Sequence, residues 1–143
     1  MKRKMYAIFT LLITVVMSVC MIVACDKEGS AKAEIVSKSD VMVLIKVNET
    51  EGFATLLDAM TYLKDEGVLA FELAGGMVSS IEGKANPADW SACWMLYTSD
   101  TEMSNTEWGT ISYNGNIYGS AILGAEGLTV CAGEYYIWSY DTF

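Results

Sequence analysis

Few side chains of this 143-residue chain could carry chemistry, and the type that is missing decides most. There is no His. That excludes His-dependent triads, His-ligated zinc sites and imidazole acid–base catalysis. Of the four Cys, two belong to the N-terminal apolar run, which leaves Cys93 and Cys131. Both lie in apolar stretches, where they form either a disulfide, as an oxidising compartment permits, or two buried free thiols. Neither reads as a nucleophile, because no His can activate it and no basic residue is near in sequence. Asp100, Glu102 and Glu107 share one segment and offer oxygens of the kind Ca²⁺ takes. They lack a calcium-loop pattern and any intervening glycine, so the expectation is a solvated acidic loop. A glycosidase would need two carboxylates facing each other across a cleft, which this spacing does not supply. Gly75, Gly76, Gly119, Gly124, Gly127 and Gly133 are scattered, fit no phosphate-binding loop and read as turns and bulges. The expectation is a protein without catalytic residues and without a metal.

Aromatic side chains are the other resource: four Trp and eight Tyr. Trp94 and Trp138 sit in apolar runs and are expected in the core. Trp108 and Tyr118 lie beside turns with polar neighbours, where an exposed aromatic stacks on a flat ligand or sugar or anchors a partner. Trp90, next to Asp89, is of the same kind. With Tyr97, which closes the run Trp94-Met95-Leu96-Tyr97, these are the candidate ligand-contacting residues.

Lys2, Arg3 and Lys4 precede an uncharged, mostly apolar stretch from Met5 to Ala24. That is the layout of a bacterial export signal. The stretch ends Ile22-Val23-Ala24-Cys25 before Asp26, Lys27 and Glu28, and resembles a lipobox. In such signals the Cys, here Cys25, is diacylated and becomes the first mature residue, and two acyl chains anchor stably. The alternative is a retained N-terminal membrane helix. Either places the remainder outside the cytoplasm, held to the bacterial cell membrane. Residues 25–40, small, polar and mixed in charge, read as a tether, with the folded part over 41–143. Without residues 1–24, 143 − 24 = 119 residues carry 6 basic and 18 acidic side chains, a net of −12. That length fits one domain. The 52% hydrophobic content marks it as globular, and the charge argues against nucleic acid.

The elements that must position the aromatics follow from periodicity. Val41–Val47 reads as a strand buried on both faces. Phe53, Leu56, Leu57, Met60 and Leu63 form one helical stripe, stopped by Gly67. Val68–Ala74 and Met77–Glu82 read as a hairpin about Gly75-Gly76. Gly83–Asp89, with the only proline, Pro87, reads as a loop. Trp90–Thr98 reads as a central strand and Ser99–Glu107 as an exposed loop. Gly109–Tyr113 and Asn116–Tyr118 flank Asn114-Gly115, a strong hairpin signal. Ala125–Cys131 and Tyr135–Tyr140 read as closing strands. One helix among about seven or eight short, mostly antiparallel strands predicts an α+β domain.

The order of these pieces is itself informative. A strand leads to the helical Thr55-Leu56-Leu57-Asp58-Ala59-Met60. Then come Gly76-Met77-Val78-Ser79-Ser80-Ile81-Glu82-Gly83, Trp94-Met95-Leu96-Tyr97, Tyr118-Gly119-Ser120-Ala121 and Gly133-Glu134-Tyr135-Tyr136-Ile137-Trp138-Ser139-Tyr140. Over roughly 41–143 this resembles the transcobalamin-like C-terminal domain family, many of whose bacterial members are exported and surface-anchored. The resemblance implies a β-grasp-like arrangement, with a sheet packed around one helix. In transcobalamin the corresponding domain closes over one face of a corrinoid while a helical domain holds the other; no helical domain is present here. The resemblance therefore implies a lipid-anchored binding module for a corrinoid such as cobalamin, or another planar ligand or a glycan. The alternative is a structural or protein–protein module of a cell-envelope complex.

Overall fold

The computed structural model describes residues 31–143. The expected export signal and Cys25, the expected lipidation site, lie outside the described residues. The chain is α+β and mostly β: nine strands and one short helix among the described residues. The strands are β1 (Ala33–Ser39), β2 (Met42–Val47), β3 (Phe71–Ala74), β4 (Met77–Ile81), β5 (Lys84–Ala85), β6 (Ala92–Thr98), β7 (Ser104–Tyr113), β8 (Asn116–Ala121) and β9 (Tyr135–Thr142). The helix, α1, spans Leu56–Asp65. A main sheet runs β1-β2-β9-β6-β8-β7 and a small sheet runs β3-β4-β5. Every strand pairing is antiparallel.

Strand β2 is apolar apart from Lys46 because it is buried on both faces, as its sequence predicts. Val43, Ile45 and Val47 point into the principal core with Leu56, Met60 and Leu63 of α1, Phe71, Val78 and Ile81 of the small sheet, and Trp94, Tyr136 and Trp138. Leu44 points the other way and packs with Tyr97, Tyr118 and Ile137. Helix α1 starts where the stripe begins. The Asp58 carboxylate accepts the N–H groups of Ala54 (2.8 Å) and Thr55 (2.9 Å), and those bonds hold its pKa below the usual value. Gly67 follows the helix at φ +74°, the left-handed stop the sequence predicts. Asn114 and Gly115, at φ +48° and +79°, make the two-residue β7–β8 turn.

Four expectations are corrected. The tether assigned to 25–40 gives way at Ala33, because 33–39 is β1, paired along β2 with Ala33 buried. An edge strand is made by its partner, so charged, weakly patterned residues suffice. Ser99–Glu107 is not a loop throughout: β7 begins at Ser104 and pairs Ser104 with Ala121 and Asn105 with Ser120. Residues 84–85, inside the expected loop, form β5. Ala125–Cys131 is not a strand. Its carbonyls cap α1 instead: Leu128 O accepts the Leu56 N–H (2.8 Å) and Ala125 O the Leu57 N–H (2.9 Å). These are N–H groups that a helix cannot satisfy internally.

Candidate functional site

The main sheet has a gap. Strand β6 pairs with β8 only at Tyr97↔Ser120 and Thr98↔Gly119, although it pairs with β9 over seven residues. Toward Ala92 the β8-side edge of β6 diverges from the chain leaving β8. The small sheet lies across this opening. Asn86, just after β5, fastens the two: its Oδ1 accepts the Trp94 N–H (2.9 Å), its Nδ2 donates to Val78 O (3.2 Å), and its own N–H donates to Ser79 O (2.8 Å). Trp94 Nε1 donates to Lys84 O (2.7 Å), and Tyr140 packs edge-on against the Trp94 ring at 5.3 Å.

Between these parts lies a cleft of about 310 Å³, lined by Met77, Trp90, Trp94, Ser120, Leu123 and Trp138 among others. A second hollow of about 270 Å³ adjoins it and shares Met77, Val78, Asn86 and Trp90. No charged side chain lines either hollow. The two walls approach each other at the hairpin tip, where Glu126 stands so close over Gly76 that a Cβ there would sit 2.7 Å from its carboxylate.

Two features of the cleft cost stability. Trp90 sits at φ +57°, in the left-handed region that a bulky L-residue avoids by roughly 1–2 kcal/mol. Its N–H donates to Pro87 O (3.1 Å) in the turn that holds it there, and 57% of it stays exposed at the mouth. On the floor, Trp138 is 4% exposed and its Nε1–H has no hydrogen-bond partner within the protein. An unsatisfied buried donor costs about 1–3 kcal/mol.

Of the four aromatics expected at a ligand, the structure brings only Trp90 to this cleft. Trp108 is 64% exposed. It sits on β7 where pairing with β8 is interrupted between Asn105 and Thr110. Tyr118 is not an exposed stacking residue: it is 4% exposed, edge-on to Tyr135 at 6.4 Å. Tyr97 is 8% exposed and its hydroxyl donates to Asp141 Oδ2 (2.6 Å). Burial, then that carboxylate, push the phenol pKa well up. Both tyrosines serve the second core. Trp94 and Trp138 are buried as expected, and they also floor the cleft. Asn86, Met77 and Leu123 carry no signal in the sequence beyond the nearby Pro87, because three separate segments supply them.

Cys93 and Cys131 are both free, so the disulfide is absent. Cys131 is exposed, not buried. Burial and then Asp141 push the Cys93 thiol up, and burial followed by Asp100 pushes up Cys131. Cys93 Sγ lies 3.4 Å from Met95 Sδ. Asp100 and Asn105 use their side chains locally, accepting the N–H groups of Glu102 and Glu107 (both 2.9 Å). Among the described residues no cluster of His, Cys, Asp and Glu is arranged to hold a metal ion, and no helix is long and apolar enough to cross a membrane. No family model, curated protein or solved structure matches the chain.

Proposed function

We propose that this chain is a non-enzymatic binding module, held outside the cytoplasm by a lipid on Cys25, whose inter-sheet cleft takes a planar, largely apolar ligand. The observation that carries this reading is Trp90: a large aromatic kept exposed in a costly backbone conformation at the mouth of an uncharged cleft. Strain retained at one residue is characteristic of functional positions. A corrinoid is the ligand that the transcobalamin-like resemblance implies, and a cleft of about 310 Å³ would take an edge of the macrocycle rather than the whole. The β-grasp-like scaffold belongs to the same reading, supported by one helix packed into a core shared with the sheet.

The test is a titration of the purified full chain in detergent with cyanocobalamin, followed by equilibrium dialysis and the corrin absorption band. Saturable binding at micromolar corrinoid, weakened at least tenfold by Trp90→Ala, is the expected result. No binding at near-millimolar corrinoid would remove the corrinoid and leave another ligand or a protein partner. The partner reading has its own observation: Met77, Trp90, Ile122 and Leu123 are exposed apolar residues of one cleft lining. In that reading the domain packs against a larger cell-envelope assembly.

A further inference from the structure

The polar inventory of the cleft says more about its ligand than its shape does. Asn86 has both ends of its amide engaged within the protein. Trp94 Nε1 is engaged with Lys84 O. Ser120 and Cys93 also line the cleft, and Trp138 Nε1–H is the one sealed side-chain polar atom without a protein partner among the described residues. It belongs to a residue of the cleft floor. An indole nitrogen donates and never accepts, so what completes it is an acceptor. The lining supplies no Lys or Arg to neutralise an anion, and the chain carries a net −9. A buried carboxylate or phosphate would therefore be desolvated with no counter-charge. A desolvated donor also discriminates: an analogue lacking the matching atom leaves it unpaired.

We infer that the cleft selects a neutral, largely apolar small molecule bearing one hydrogen-bond-accepting oxygen, a carbonyl or ether, which seats on Trp138 Nε1–H while its flat apolar body lies under Trp90. This rests on reading the cleft as a small-molecule site. The indole nitrogen is itself sealed from water, so the oxygen reaches it as the flexible lining gives way. Met77 and Leu123, unbranched at Cβ and about half-exposed, belong to that lining.

The experiment uses the full chain in detergent micelles with ¹⁵N-labelled tryptophans. The indole N–H signals are assigned by Trp90→Phe and Trp138→Phe. Three probes of one shape are compared: 2-acetylnaphthalene, 2-ethylnaphthalene and 2-naphthoate. The ketone is expected to shift the Trp138 indole proton downfield and to perturb Trp90. The hydrocarbon should perturb Trp90 alone and bind about tenfold more weakly, and naphthoate should do neither. In Trp138→Phe the ketone should lose its advantage over the hydrocarbon. Ketone and hydrocarbon perturbing Trp90 equally, with Trp138 unmoved, would overturn the acceptor inference and leave the cleft reading standing. A Trp138 proton already downfield in the free protein and unmoved by ketone would assign its partner to a buried water, also overturning it. Naphthoate binding as well as the ketone would overturn neutrality. Silence of Trp90 toward all three probes would remove small-molecule binding in the cleft, and the inference with it.

Discussion

Trp90 and Tyr136 show how one side chain sets a measurable property here. Trp90 is more than half exposed, so removing its ring costs little packing, while its φ of +57° favours glycine. Trp90→Gly should therefore be more stable than Trp90→Ala by about 1 kcal/mol, read from urea midpoints. Both should bind the Trp90-dependent ligand at least tenfold more weakly. Equal midpoints for Gly and Ala would mean that the left-handed turn is not held in solution. Tyr136 is fully buried, its hydroxyl oxygen accepts the Cys131 N–H (3.0 Å), and burial pushes its pKa up to about 12. In the unfolded chain the phenol ionises near pH 10. The folded value is the higher one, so its contribution is intact below about pH 10 and is lost as pH rises through about 12. Two units correspond to about 2–3 kcal/mol. Wild type should lose on the order of 2 kcal/mol more than Tyr136→Phe between about pH 9 and 12. Parallel stability curves for the two would show that the phenol titrates alike in both states.

At the scale of elements, β1 carries the sharpest expectation. It pairs along β2, buries Ala33, and extends through Lys32, whose carbonyl accepts the N–H groups of Asn48 (2.8 Å) and Glu49 (3.1 Å). Lys38 ties it to the small sheet through Glu82 (3.2 Å). A chain starting at Val41 should lose more than about 2 kcal/mol relative to one starting at Asp26, and should aggregate through the bared edge of β2. Equal urea midpoints would return residues 33–39 to the role of tether. Elements that bury their own pattern were legible in the sequence: β2, the stripe of α1, and the turns at Gly75-Gly76 and Asn114-Gly115. Elements defined by a partner were not. Strand β1 and the first half of β7, residues 104–108, are edge segments, recognisable only by what they pair with, and 125–130 is apolar because it caps and covers α1, not because it alternates. The cleft was legible in one residue. Trp90 stood out by type beside Asp89, but the gap arises where β6–β8 pairing stops, and no local pattern encodes where a pairing ends. The buried Tyr118 marks the same limit: polar neighbours in sequence did not place it at the surface, because the second core covers it, as it does Tyr97 at the end of its apolar run.

Across the whole molecule, charge is spread as repulsion and hardly used for pairing. The sequence has 18 acidic against 9 basic side chains, and Lys38–Glu82 is the one ion pair among the described residues. Three other lysines lie over rings: Lys46 over Tyr135 (5.7 Å), Lys64 over Phe71 (4.9 Å) and Lys84 over Tyr140 (4.2 Å). An excess of one sign destabilises the compact state through self-repulsion, and salt screens it. Raising NaCl from about 0.01 M to about 0.5 M shortens the screening length from roughly 30 Å to only a few ångströms. The melting temperature should therefore rise by a few degrees, on the order of 1 kcal/mol. A molecule held by surface ion pairs would respond the other way, so a falling melting temperature would mean that local attractions outweigh the net charge. The cleft gives an internal control, since its lining carries no charge. Affinity for a neutral probe should change less than about twofold over the same salt range, because no counterion is released when uncharged surfaces meet. Stability that rises with salt while binding stays level would separate the electrostatics of the fold from the chemistry of the site. An affinity that fell steeply with salt would instead place a charged contact in the binding step.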